Sequence, residues 1–298
     1  MKASRRNVIL AFLVLYVIWG STYLAIKIAI ETLPPFLMAS TRFLVSGTLL
    51  YALARGRGAG RPSPEHWRSA AVVGTLLLLG GNGLVALGEK TIDTGIAAIL
   101  VATAPIWMVL LNWALRGKKP GARVIAGLLT GFFGVWVLVR PGDTAFHWAG
   151  ITAVLFASFF WAAGSVLSKS LRFPGSALLA VGMQMLCGGA SLLIASALTR
   201  EWNGFVLERV SVHSALALLY LILIGSGLGF TAYIWLLKVS TVSRVSTYAY
   251  VNPLVAVALG MFFLGEKLTP STLVAGAVIL AGVILIQSSG EVEVSPDN

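Results

Sequence analysis

The chain has 298 residues, 57% of them hydrophobic and 11% charged, with a formal net charge of +11. Soluble domains carry about 25% charged residues, so this chain cannot cover its surface with polar groups in water, and its natural solvent is lipid. A single cysteine, Cys187, excludes an internal disulfide framework, and its apolar surroundings mark it as a small packing residue.

A membrane-spanning helix needs about 20 mostly apolar residues, with roughly 17–25 tolerated. Ten stretches qualify: 8–26, 34–53, 67–87, 94–115 and 122–139, then 148–168, 176–198, 214–237, 242–264 and 271–286. The first follows Lys2, Arg5 and Arg6 in the manner of a signal peptide. It is too long for one, lacks a small-x-small cleavage site and is followed by nine more spans, so it is predicted to stay as a helix. The connections are short, which makes successive helices antiparallel neighbours. The polar tail 288–298 is predicted to be disordered.

Span 1 carries Trp19 and Tyr23. Span 2 carries Arg42, seven residues after Pro35 and so about 10 Å into the membrane at ~1.5 Å per residue. A charge at that depth costs ~2.5–3.5 kcal/mol on insertion scales and calls for a cavity or a partner. Two readings stand open: a cation that pairs with a substrate carboxylate, or a long stem that snorkels to the outer interface or pins helix ends. Span 3 holds Asn82 among Gly80, Gly81 and Gly83, and span 4 holds Trp107 beside Pro105. Trp161 follows on span 6 and Gln184 on span 7. Span 8 holds Gly225, Gly227 and Gly229, and span 9 holds Tyr248, Tyr250, Asn252 and Pro253. The aromatic and amide groups are candidates to line a cavity, since rings offer apolar bodies with a polar tip; ordinary packing is the alternative for each. Gly81, Gly229, Pro105 and Pro253 are candidate hinges, because proline frees a carbonyl and glycine lets helices approach closely. Gly127, Gly131, Gly134, Gly276 and Gly282 on spans 5 and 10 read as packing alone.

The pattern occurs twice. Trp19-Gly20 followed by Lys27 matches Trp161-Ala162 followed by Lys169, each with a spacing of 8 residues. Pro105 and Gly117 find counterparts in Pro253 and Gly265, and Arg42 falls opposite Gln184. Duplication is the usual build of a secondary transporter, with the site between the copies. The predicted units are 8–140 and 148–287, after a cytoplasmic N-terminus 1–7 and before the cytoplasmic tail 288–298. The basic residues set the orientation. Fifteen, including Arg5, Arg6, Arg55, Arg57, Arg116, Lys118, Lys119, Arg172 and Arg244, fall on one side; six, Lys27, Lys90, Arg140, Arg200, Arg209 and Lys267, fall on the other. Such asymmetry places both termini in the cytoplasm. With five spans in each unit, the second must enter inverted, giving an all-α membrane fold of ten transmembrane helices in two inverted five-helix repeats.

These features resemble a known family. The doubled five-span unit, the Trp-Gly-Ser-x-x-x-x-x-Lys run of 19–27 and the Pro-to-Leu-Gly-Glu ending of 253–266 are similar to the drug/metabolite transporter superfamily, and within it to two-copy EamA-type transporters. The likeness spans about residues 7–287. It implies export of small metabolites, often amino acids, across the bacterial inner membrane, through a central cavity lined by both repeats. Small multidrug exporters of that superfamily use a membrane-embedded Glu to exchange protons for cationic drugs. This chain has no acid at mid-span, so neutral, zwitterionic or anionic cargo is expected. Were protons coupled, Glu89 would be the remaining carrier; an ion pair with Lys90 in the loop is the other expectation.

The expected partners are a small-molecule substrate and the lipid bilayer, with no nucleic acid. A monomer suffices, because two fused repeats complete a pathway. No cofactor is expected: there is no phosphate-binding glycine loop, and His66, His147 and His213 sit near span ends. An integral-membrane enzyme would need a nucleophile with its base, a metal cluster or paired acids, and none is recognisable. A passive channel or a lipid translocator remains open as an alternative.

Overall fold

The computed structural model describes residues 5–117, 119–139, 147–239 and 248–288. All regular structure among them is helical. Helix α1 spans Arg5–Ala29 and α2 Pro35–Gly56. Helix α3 spans Pro64–Gly88, and its middle, Thr75–Gly83, is wound as a π-helix. The fourth predicted span is two helices, α4 (Thr94–Val101) and α5 (Ala104–Arg116), followed by α6 (Ala122–Val139). Then come α7 (Trp148–Ser168) and α8 (Ala177–Leu198). Helix α9 runs through Val212–Tyr220, a π-helical Leu221–Leu228 and Gly229–Val239. Helices α10 (Tyr248–Leu264) and α11 (Pro270–Gln287) complete the set. Among the described residues, seven helices are long and apolar enough to cross a membrane, and three further apolar helices are shorter.

Local chemistry sets the ends. Pro35, Pro64 and Pro270 open α2, α3 and α11, where the missing N–H costs nothing and φ is already helical. Ser63, Ser176, Ser211 and Thr269 each accept a hydrogen bond from a free N–H in the first turn of α3, α8, α9 and α11. Helix α5 stops at Gly117 with φ 68°, and Gly265, just beyond α10, has φ 66°. That left-handed conformation carries no Cβ penalty only in glycine, so the repeated glycine marks a repeated turn. The fourth span breaks at Ala102–Thr103 because Pro105 removes a donor from the next turn. Pro253 lies inside α10 instead; residues 242–247, where the ninth predicted span begins, lie outside the described residues.

The helix pairings come in matched sets. Helix α2 lies along α8, and α6 along α11. Helix α1 packs on α9 and α10, while α7 packs on α3, α4 and α5. The π segment of α9 touches α2, and that of α3 touches α8. Glycines allow the closest crossings: a Cβ on Gly127 of α6 would stand 2.7 Å from the Gly282 carbonyl oxygen of α11. Gly131 and Gly134 pack there too, and Gly276 faces Ile99 of α4. The outer surface is apolar, with Phe262 83% and Leu198 79% exposed, as helices in contact with lipid require.

Several sequence expectations fall outside the described residues: Lys2, Lys118, Arg140, Arg244 and the tail from 289. The side chains of Arg116 and Tyr250 are outside them as well.

Candidate functional site

Both π segments sit where the glycine clusters were found, and in each a backbone carbonyl accepts a hydrogen bond from a side chain. Asn82 Nδ2 donates to Leu77 O (3.2 Å) within α3, and Ser46 Oγ of α2 donates to Ile222 O (3.0 Å) of α9. A π-bulge widens the helix and re-aims its side chains, and such bulges concentrate at functional sites.

Arg42 points at the π segment of α9. It is 4% exposed, and its Nε donates to Ser226 Oγ at 2.9 Å. Its guanidinium carbon lies 4.7 Å from the Phe43 ring centroid, a cation–π contact. No carboxylate pairs with it: the one ion pair among the described residues is the exposed Arg172–Glu65 contact. Gly225 keeps the space beside it open, since a Cβ there would be 3.4 Å from Arg42 Nη2 and 3.2 Å from Thr22 Cγ2 of α1. One turn away, Ser21 Oγ shares a hydrogen bond with Tyr220 Oη (2.6 Å). A cation, four hydroxyls and a glycine therefore meet where α1, α2 and α9 come together.

The second grouping is aromatic. Trp19 stands 4.9 Å from Tyr248, 5.2 Å from Tyr233 and 5.2 Å from Phe230, ring centre to ring centre. Tyr248 also faces Trp161 of α7 and Tyr23 of α1. Residues from α1, α7, α9 and α10 thus converge, four of them singled out from sequence: Trp19, Tyr23, Trp161 and Tyr248.

The two tryptophans of the repeated motif are also placed reciprocally. A Cβ on Gly229 of α9 would come within 2.5 Å of Trp19 Nε1 of α1; one on Gly81 of α3 would come within 3.0 Å of Trp161 Cε3 of α7. Each indole thus lies on the glycine of the π-containing helix from the opposite half.

Other predicted residues go elsewhere. Trp107 packs edge-on against Phe132 and Phe159, and its buried Nε1 has no partner. Asn252 is 7% exposed, and its side-chain amide lies against the carbonyls of Tyr16 and Tyr248, to which its nitrogen donates (3.2 and 3.1 Å) when the amide is turned to satisfy both. Gln184 is half-buried on the α8 face that meets α3. Because the Trp107 indole N–H is buried unpaired, Trp107→Phe is expected to leave thermal stability within about 1 kcal/mol of the parent and transport unchanged. A large loss of transport with intact folding would show that this N–H serves cargo.

Sequence reasoning missed Ser21, Thr22, Ser46, Tyr220, Ser226, Phe230 and Tyr233. The signal was present for Ser226, the polar residue inside the Gly225–Gly229 run, and for Ser21 and Thr22 inside the Trp-Gly-Ser motif.

One expectation is corrected. Glu89 makes no ion pair with Lys90, which is exposed; Glu89 is fully buried, with neither carboxylate oxygen bonded. Two other acids expected at the outer edge act as helix caps. Glu201 accepts from Phe36 N (3.1 Å) and Leu37 N (2.9 Å) of α2. Glu266 accepts from Thr94 N (2.8 Å), Thr94 Oγ1 (2.8 Å) and Gly95 N (3.3 Å) of α4. Each carboxylate meets the positive end of a helix dipole.

The sequence model of the EamA-like transporter family matches residues 6–140 and 148–288. The chain belongs to that family. Among EamA relatives, it is 36% identical to the uncharacterized inner membrane transporter YedA of Escherichia coli (strain K12), over 93% of this chain and 89% of that one. It is 26% identical to the uncharacterized transporter YvbV of Bacillus subtilis (strain 168), over 98% and 95%. A crystal structure covering 97% of this chain and all of its own matches with a TM-score of 0.63 at 21% identity, a likeness of fold alone. The EamA chain is thus a multi-pass membrane protein of a transporter family.

Proposed function

We propose that the chain is a secondary transporter that exports small amphiphilic metabolites bearing a carboxylate, with amino acids as the leading class. The observation that carries this reading is Arg42: a buried guanidinium that has, among the described residues, one hydroxyl partner and no counter-ion, facing the π segment of α9. A carboxylate arriving there completes a charge-assisted pair that the protein leaves open. The aromatic group around Trp19 supplies an apolar surface with polar tips nearby.

The mechanism is alternating access. The matched pairings, the reciprocal Trp19–Gly229 and Trp161–Gly81 contacts and the repeated turns at Gly117 and Gly265 support ten spans in two inverted five-helix repeats, 8–140 and 148–287. The π segments supply bends at which each repeat yields. The basic-residue asymmetry places both termini in the cytoplasm of a bacterial cell, and the inner-membrane naming of YedA supports the same membrane. In this orientation α1 and α3 end outside. Cargo enters from the cytoplasm, rests with its carboxylate at Arg42, and leaves when that end opens. A monomer is sufficient.

The test is counterflow of labelled amino acids, aromatic and aliphatic, by the purified protein in liposomes. Saturable exchange is expected. Non-saturating flux would establish a channel instead, and movement of labelled phospholipid without amino-acid exchange would establish a lipid translocator.

A further inference from the structure

Where α1 and α3 finish, the structure holds an acid that the transport site does not use. Glu89 follows the last residue of α3, is 0% exposed, and has no hydrogen-bond donor among the described residues for either carboxylate oxygen. A buried carboxylate without donors is among the costliest groups in a protein, and the neutral carboxylic acid is the form such a place accepts. Burial accordingly holds this carboxyl well above the usual carboxylate range, with Lys27 opposing the shift and Glu266 adding to it.

The surroundings explain why no neighbour relieves it. Lys27 of α1 spends its ammonium on backbone, donating to Glu89 O (2.5 Å) and Ile92 O (2.8 Å). Glu266, beyond α10, is committed to the first turn of α4 through Thr94 and Gly95. Asp93 in the next turn feels both Glu266 and Lys27, and Tyr23 of α1 feels Glu89 itself. Helix α7 brings Gly150 and Val154 against Gly88 and offers no charge at this level. Three elements are therefore stitched together over Glu89: the end of α1 through Lys27, the start of α4 through Glu266, and the segment after α10.

We propose that Glu89 is a proton-binding site that controls opening of this end of the transporter: it is protonated while the end is closed and releases its proton when the end opens. Opening must part α1 from α3 and lift Glu266 off α4, which admits water to Glu89. Hydration and the nearby Lys27 then favour the carboxylate. The balance is one proton: closed, COOH; open, COO⁻ plus a proton released to the side that opens. By linkage, higher pH favours the open form, and the open-to-closed ratio changes about tenfold per pH unit over the window in which Glu89 is protonated in the closed form and ionised in the open one.

The full chain in nanodiscs, without cargo, tests this. Spin labels at Lys90→Cys and Lys267→Cys, in a Cys187→Ser background, report the separation of the α3 end from the segment after α10. A longer-distance population is expected to grow as pH rises, together with loss of a protonated-carboxyl C=O band in the infrared difference spectrum. Glu89→Gln, which mimics the neutral acid, should stay closed at every pH and lack that band. Glu266→Gln and Asp93→Asn should keep the pH slope. A Glu89→Gln variant with the parent's pH slope overturns the proposal, as does a parent protein whose label distance ignores pH. Since no cargo is present, this readout can fail while the carboxylate-cargo reading stands, and the converse.

Discussion

Arg42→Ala is expected to abolish saturable transport of carboxylate cargo while the protein still inserts and folds. Removing one partner of a buried, hydrogen-bonded charge pair costs about 2–5 kcal/mol of binding, or roughly 30- to several-thousand-fold in affinity. The same substitution relieves the membrane of a charge that costs ~2.5–3.5 kcal/mol on insertion scales, so yield and thermal stability should hold or rise. Arg42→Lys should fall between the two, because an ammonium keeps the charge and loses the planar fork. The measurement is counterflow of labelled amino acids in liposomes beside thermal unfolding of the same preparations. Normal exchange by Arg42→Ala would end the carboxylate reading and return Arg42 to a structural pin between α2 and α9, with Ser226 as its seat.

The contrast between what the sequence exposes and what it hides follows from the physics of lipid. A spanning helix must satisfy its own backbone, so it writes itself as an apolar run, and the predicted spans 148–168 and 94–115 fall on α7 and on α4 with α5. Arg42 was legible for the same reason: one charge in such a run stands out. Its partner was not, because nothing in the linear text ties residue 42 to Ser226, 184 residues on. The π segments were half legible. The glycine clusters marked where the helices depart from regularity, but the bond from Ser46 of α2 to the Ile222 carbonyl of α9 is tertiary information, while Asn82 reaches Leu77 within its own helix. Glu89 was read as a loop acid because it sits beside Lys90 in the sequence. In three dimensions the turn folds inward, and the ammonium that reaches this region comes from Lys27, on another helix. Asn252, read from sequence as a cavity residue beside Pro253, has its amide against the Tyr16 and Tyr248 carbonyls, neighbours that the linear text does not name.

The reciprocal tryptophan contacts yield the second large effect. Gly229→Leu should impair transport severely, because even its first carbon would meet Trp19 Nε1 at 2.5 Å and Cδ1 at 2.9 Å. Overpacking of this kind costs about 1–3 kcal/mol, and relief requires the indole to leave its contacts with Phe230, Tyr233 and Tyr248. Gly81→Leu should act in the same way through Trp161, and more mildly, since its first carbon would stand 3.0 Å from Cε3. If each tryptophan rests on its glycine as a moving contact between the halves, then shortening the ring should restore function in a matched fashion. Trp19→Phe, which keeps an aromatic face for cargo and removes the indole nitrogen that meets Gly229, should rescue Gly229→Leu and leave Gly81→Leu impaired; Trp161→Phe should do the reverse. The four double variants close four double-mutant cycles, and the two matched pairs should couple by about 0.5–3 kcal/mol while the two mismatched pairs add. Equal rescue by either tryptophan, or by neither, would mean that the glycines serve general helix packing and that the duplicated Trp motif does not join the two halves.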